Sequence, residues 1–276
     1  MTAPTHDLLE TAKRVRRHIV TATTAAKSGH PSSSLSAVEI GTALYFGGFL
    51  RYDPKRPDWP DRDRLILSKG HAAPLLYALL AESGFISLDE IDTLRRFGSR
   101  LEGHPNMKRV PGVEASTGSL GQGLSVGIGH ALAAKLDGRS SRVYVIQGDG
   151  ETQEGQVWEA MMFAGVHAVD NLTLIIDRNG YQQTGAVSEI QPLDPLVEKL
   201  EAFGWDTIEI DGHNMDEVTK ALEWCPGSVG QPQAIVANTR KGRGVDFLEE
   251  QGNWHGKPLA QDDLAQALAD IERGLR

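Results

Sequence analysis

Two hydrophobic rhythms alternate along the chain. Through 7–27, Leu8, Leu9, Ala12, Val15, Ile19 and Ala22 recur at helical spacing and predict a helix. It is expected to end at Ser28-Gly29-His30-Pro31, because Gly and Pro both stop helices. The stretch 36–46 reads as a buried helix, and 51–64, rich in Pro and Asp, as a surface loop. Leu65-Ile66-Leu67-Ser68 predicts a short strand leading into a helix that opens at 69–73 and runs to position 82. Ser87 followed by Asp89-Glu90 matches a capping box for a helix over 87–97, and 101–105 reads as a loop. Two apolar, β-branched runs, 142–147 and 172–177, predict buried strands. The helix expected between them, over 152–169, has Val157, Trp158, Met161, Met162 and Ala164 for its buried side. Further on come a helix over 194–203, a strand over 205–210, a helix over 215–224, a strand over 234–238, a loop over 251–258 and a closing helix over 264–273. Strands alternating with helices imply an α/β fold, a mostly parallel sheet with helices on both faces. No repeat, low-complexity tract or linker interrupts the pattern, so 1–276 is expected to form one domain.

Composition narrows the partners. Lys and Arg number 28 against 37 Asp and Glu, a net charge of -9, which argues against nucleic acid or an anionic membrane as the main partner. A phosphorylated substrate stays open, because the charge of a site is local. Cys225 is the only cysteine, so neither a disulfide framework nor a Cys-based zinc site is expected. Residues 1–19 are charged and lack a signal-peptide core, and no apolar run approaches membrane-spanning length. A cytoplasmic protein is the expectation.

The candidate chemistry gathers at the ends of the two central strands. Gly148-Asp149-Gly150 closes the first, and Asn179 follows the second. Parallel α/β sheets bind ligands at the carboxyl ends of their strands. A carboxylate and a carboxamide meeting there make a hard, oxygen-rich site suited to magnesium or calcium. The glycines permit close backbone approach, and amides opening the next helix favour an anion. A metal-bound diphosphate meets all these conditions; an Asp that caps a helix and an Asn in a turn is the plainer alternative. A dinucleotide site fits poorly. After Gly121-Gln122-Gly123 the third glycine, Gly127, comes one place late, and after Gly148-Asp149-Gly150 the third place holds Gln153. Glu151 reads as an acid favoured by a helix dipole, and Glu154 stays open between that and a functional role. His30, His71, His104 and His255 each lie beside Gly or Pro in a loop, where imidazoles can bond sugar hydroxyls and move protons. His6, His18, His130, His167 and His213 read as structural.

The Gly-Asp-Gly and Asn spacing resembles the diphosphate-binding motif of thiamine-diphosphate enzymes. More of the chain resembles the amino-terminal, diphosphate-binding domain of transketolase. The matching segments are Ser28-Gly29-His30-Pro31, Leu67-Ser68-Lys69-Gly70-His71-Ala72, Gly103-His104-Pro105, Thr117-Gly118-Ser119-Leu120-Gly121-Gln122-Gly123, Gly148-Asp149-Gly150 with Glu154-Gly155, Asn179, and Trp254-His255-Gly256-Lys257. They stand in family order and cover nearly the whole chain. The resemblance implies that Asp149, Asn179 and the Tyr181 carbonyl hold magnesium, or calcium, and that His71, Gly118, Ser119, Leu120, Gly150, Asn179 and His255 line thiamine diphosphate. It places His30, His104 and His255 toward the sugar and Glu154 at a subunit interface. Ser32-Ser33, Asn106 and Tyr181 depart from common family choices. Transketolases continue into a pyrimidine-binding domain and a third domain. The resemblance is therefore to the smaller subunit of a split transketolase, paired with a second chain as a heterotetramer of two plus two. Another split enzyme acting on a modified or sulfonated ketose, and a non-catalytic binding subunit of the same fold, are the alternatives.

Overall fold

The structure, a computed structural model, describes residues 3–227, 229–249 and 254–274. Five strands, β1 (Arg64–Leu67), β2 (Val143–Gly148), β3 (Leu172–Arg178), β4 (Asp206–Asp211) and β5 (Gln233–Asn238), form one sheet in the order β1-β2-β3-β5-β4. Every neighbouring pair is parallel. The helices are α1 (Thr5–Ala26), α2 (Pro31–Leu35), α3 (Val38–Phe46), α4 (Ala73–Glu82), α5 (Gln122–Leu136), α6 (Gly155–Val166), α7 (Val187–Ile190), α8 (Leu196–Ala202), α9 (Met215–Trp224), α10 (Asp246–Glu249) and α11 (Leu264–Arg273).

Successive strand residues point to opposite faces, so β1, β2, β3 and β5 feed two cores, while β4 at the edge lends only the half-buried Ile208 and Ile210 to one of them. Leu65, Leu67, Tyr144, Ile146, Ile175 and Ile235 join the buried cluster containing Val15 of α1, Leu44 of α3, Leu79 of α4, Leu222 of α9 and Ile271 of α11. Ile66, Val143, Val145, Leu174, Ile176 and Val236 join the cluster of Leu124 from α5, Met161 from α6 and Leu200 from α8. Both faces being covered is why β2 and β3 read as nearly continuous apolar runs, whereas the edge strand β4 alternates Thr207, Glu209 and Asp211 with Ile208 and Ile210. Each fully buried aliphatic side chain contributes about 1.5–3 kcal/mol relative to exposure. Among the described residues no helix is long and apolar enough to cross a membrane.

Several expected elements differ. The stretch 36–46 starts its helix at Val38, because the helical path breaks at Ala37 (φ -108°, ψ 20°); Ser36 keeps helical angles at the end of α2, its hydroxyl donating to Asp177 and to the Ser33 carbonyl. The helix expected from 69 begins as a 3-10 turn, Gly70–Ala72, before α4. No capping box forms at Ser87, and the segment is a 3-10 turn, Leu88–Thr93. Glu90, which would close the box, is held by Arg100 at 2.5 and 2.8 Å, and Ile91 is the turn's one buried residue. The helix expected over 152–169 is a 3-10 turn, Glu151–Gln153, an extended Glu154, then α6. On α6, Val157, Met161 and Ala164 are buried as expected, whereas Met162 is 51% exposed. Trp205 precedes β4 and is not part of it; its indole is buried and donates to the Met161 carbonyl at 2.8 Å. The expected loop 251–258 is described from Trp254 onward, and 251–253 lie outside the described residues.

Candidate active site

The loops leaving β1, β2, β3 and β5 meet at the carboxyl edge of the sheet. There Lys69, His71, Leu120, Asp149, Asn179, Tyr181 and His255 line a cavity of about 220 Å³ together with Gly150 and Glu154. Asp149 is 2% exposed. Its carboxylate accepts from the Gly180 amide at 2.6 Å and the Gly150 amide at 2.8 Å. Burial, and next the nearby Asp177, push its pKa up to about 6. Asn179 accepts from the Tyr181 amide at 3.2 Å and donates to Asp177 at 3.4 Å. A nearly buried carboxylate repelled by a second one is a place where a divalent cation relieves repulsion. Among the described residues no three His, Cys, Asp or Glu side chains converge as a metal cage.

The backbone beside Asp149 is equally restrictive. A Cβ on Gly150 would stand 2.7 Å from the Gln182 Cβ, and one on Gly70 would stand 2.6 Å from the Gly118 amide nitrogen. Gly118 itself holds φ at 149°, a conformation that favours glycine, and a Cβ there would stand 3.0 Å from the His104 ring. Segment 117–121, which carries Gly118, Ser119 and Leu120, is thereby pressed onto the turn after β1. Thr117 donates to the Leu67 carbonyl at 2.7 Å. These cradles and the cations Lys69 and Lys241 suit a diphosphate. Burial and the charge of Lys69 lower the Lys241 pKa to about 8.

Three imidazoles form one cluster. Ring centroids are 5.2 Å apart for His30–His71 and His30–His255, and 5.3 Å for His71–His255. Burial is the largest cause lowering His30 and His255 to about 4 and His71 well below its usual value. All three are neutral at pH 7 and can donate at one nitrogen and accept at the other. His30 Nδ1 is buried without a protein partner among the described residues. His104 lies across Gly118, its pKa lowered by partial burial and by Arg95. The structure therefore brings every residue singled out for the site to one edge, with Glu154 exposed at the start of α6.

Three groups at this edge were missed by sequence reasoning. Asp177, fully buried, accepts from Lys69, from Ser36 at 2.6 Å and from Thr239. Lys241 donates to His255 Nδ1 at 2.9 Å. Lys69 lay inside a quoted motif and Asp177 inside a strand; nothing local distinguished them. Glu151 serves no helix dipole. It accepts from Ser68 at 2.5 Å, Gly121 at 2.8 Å and Gly148 at 3.1 Å, tying three loops together.

A parallel sheet covered on both faces, with a buried carboxylate, glycine cradles and lysines at its carboxyl edge, defines an α/β protein that binds a phosphorylated cofactor. Similarity to known proteins specifies the family. Residues 9–271 match the family model "Transketolase, thiamine diphosphate binding domain", and the chain belongs to that family. It is 45% identical over 245 residues to the "6-deoxy-6-sulfo-D-fructose transketolase subunit SqwG" of Clostridium sp. (strain MSTE9), covering 89% of each chain. It is 41% identical over 251 residues to an apulose-4-phosphate transketolase subunit of Phocaeicola vulgatus, covering 91% of this chain and 89% of that one. Mus musculus transketolase is 46% identical over 265 residues, which are 96% of this chain and 42% of the relative. The crystal structure of Campylobacter jejuni transketolase superposes with a TM-score of 0.91 at 34% identity, covering 97% of this chain and 43% of that one. The chain thus spans less than half of these longer transketolases and about nine-tenths of the subunit-type relatives.

Proposed function

We propose that this chain is the diphosphate-binding subunit of a transketolase, a transferase moving a two-carbon ketol unit between sugar phosphates, and that it works only with a partner chain carrying the pyrimidine-binding domain. Residues 1–276 act as one domain in this reading, in the cytoplasm. The observation that carries it is the single edge at which Asp149 and Asn179 face Lys69, Lys241 and the cluster of His30, His71 and His255. Asp149, Asn179 and the Tyr181 carbonyl hold magnesium, or calcium. His71, Gly118, Ser119, Leu120, Gly150, Asn179 and His255 hold thiamine diphosphate. Thiamine diphosphate, when bound, supplies the carbon that carries the two-carbon unit. His30, His104 and His255 orient the sugar and shuttle its hydroxyl protons, as neutral imidazoles can near pH 7.

Assembly as two plus two is supported by the α5 and α6 surface. Val126, Leu132, Leu136, Met162, Phe163 and Val166 are exposed there, Leu136 by 89% and Val166 by 81%, with Glu154 at the cavity end. Apolar surface of this kind favours association. The likeness to the SqwG subunit over 89% of its length favours one second reading, a sulfonated ketose as donor. A coupled ketol-transfer assay on the purified chain, with and without a candidate partner, and with phosphorylated and sulfonated ketoses in parallel, separates these. Turnover only with the partner, and a mass by light scattering of two copies of each chain, are expected. Full turnover by the isolated chain would defeat the two-chain proposal.

A further inference from the structure

The segment 240–243, which follows β5 and carries Lys241, is held by a buried polar relay from α1, α3 and the loop after β4. Arg16 of α1 donates to Glu39 of α3 at 2.6 Å, and both side chains are almost fully buried. Glu39 also faces His213 Nδ1 at 3.0 Å, in the loop after β4. His213 Nε2 lies 2.7 Å from the Arg240 backbone nitrogen, which can only donate. Nε2 is therefore the acceptor and unprotonated. The ring proton sits on Nδ1 and is given to Glu39, so one neutral tautomer satisfies both contacts. The same segment is gripped at two further points. The Gly242 amide donates to the Ser32 carbonyl at 2.9 Å, and Arg16 Nε donates to the Arg243 carbonyl at 3.2 Å.

We propose that His213, with Glu39 and Arg16 behind it, is a positioning residue that sets segment 240–243 so that Lys241 reaches His255 and fixes the tautomer of that imidazole. Lys241 donates to His255 Nδ1, so the His255 proton is on Nε2. The two imidazoles carry opposite tautomers, one as the anchor of the segment and one as its product. The relay leaves the carboxyl-edge cavity untouched, because none of Arg16, Glu39 or His213 lines it. Its place in catalysis rests on the transketolase reading; the relay itself does not.

The experiment uses the chain without cofactor or partner, so its failure and that of the functional reading are distinguishable. Long-range nitrogen–proton spectra of ring-labelled wild-type protein are expected to show His213 protonated at Nδ1 with Nε2 as acceptor. His213→Phe keeps a ring and removes both bonds, whereas His213→Gln retains one donor and one acceptor. The charged groups around Lys241 are Lys69, Asp149 and Asp177. In His213→Phe, Lys241 leaves that enclosure and its titration is expected to rise from about 8 toward the ordinary 10.5. That of His255 rises from about 4 by the loss of the Lys241 charge, and stays below 6.5 because burial, the largest cause of its lowering, remains. In His213→Gln both stay nearer wild type. A folded His213→Phe that titrates like wild type at both groups overturns the proposal. If the variants do not fold, wild-type spectra showing Nε2 protonated overturn it and the expected tautomer supports it.

Discussion

At Asp149 two opposing demands meet on one side chain. Two backbone amides favour its ionised form, while burial and Asp177 oppose it and leave it titrating near about 6. A bound cation resolves the conflict, so cofactor and metal are expected to bind interdependently. Asp149→Ala is expected to abolish magnesium-dependent binding of thiamine diphosphate, and Asn179→Ala to weaken it, with the circular dichroism spectrum unchanged. Calorimetric titration with both ligands checks this, and undiminished binding in both variants would remove the metal assignment. The imidazoles differ in kind, because they line an open edge. His30→Ala, His104→Ala and His255→Ala are each expected to lower turnover by about ten- to a thousandfold, with little change in Tm. Unchanged activity with the true sugars in all three would reject their assignment to the sugar.

Between elements, small residues set how closely pieces approach. Gly165 of α6 meets the turn after α8, where an added Cβ would collide with the Phe203 carbonyl oxygen. Backbone cannot yield as a flexible side chain does. Gly165→Ala is therefore expected to cost about 1–3 kcal/mol by overpacking, a drop of several degrees in Tm. A thermal melt equal to wild type would show that α6 and α8 can separate freely. The same scale explains where periodicity misled. Helix spacing in 152–169 was real over 155–166, but Glu151 bonds three loops and Glu154 is extended, so the helix begins later and ends three residues early. The capping box expected to start a helix over 87–97 does not form, because Glu90 is taken by Arg100, and the segment is a 3-10 turn.

For the molecule as a whole, the histidine cluster links folding to pH. His30 and His255 titrate near about 4 in the fold, against about 6.5 when unperturbed. Between those values the unfolded chain binds more protons, so their contribution makes stability fall as pH drops through that window. A buried carboxylate whose pKa is raised acts in the opposite sense. Asp149, raised to about 6 from 3.8, makes its contribution fall as pH rises between those values. The histidine part is therefore read as a difference. The Tm of His30→Gln/His255→Gln minus that of wild type is expected to grow more positive as pH is lowered from about 6.5 to about 4.5. A difference independent of pH would mean these imidazoles are not held neutral by the fold.

What the sequence alone determined was whatever depends on chain neighbours. The alternation of strand and helix, the parallel sheet, and the motifs from Ser28-Gly29-His30-Pro31 to Trp254-His255-Gly256-Lys257 were legible, because period and punctuation act over a few residues. The ordered motifs also placed the chain in the family that residues 9–271 match. Tertiary structure decided the rest. Strand order at β3-β5-β4 turns on which strand finds which edge, information absent from any local window. Lys69 and Asp177 are 108 residues apart, and Glu39 and His213 are 174 apart. In the sequence Lys69 is one more residue in a motif, Asp177 the end of a strand, and His213 a loop histidine set aside as structural. Only folding removes them from water, and once there each buried polar group must find its partner. That requirement, and no local pattern, selects which charges face which and where the protons sit.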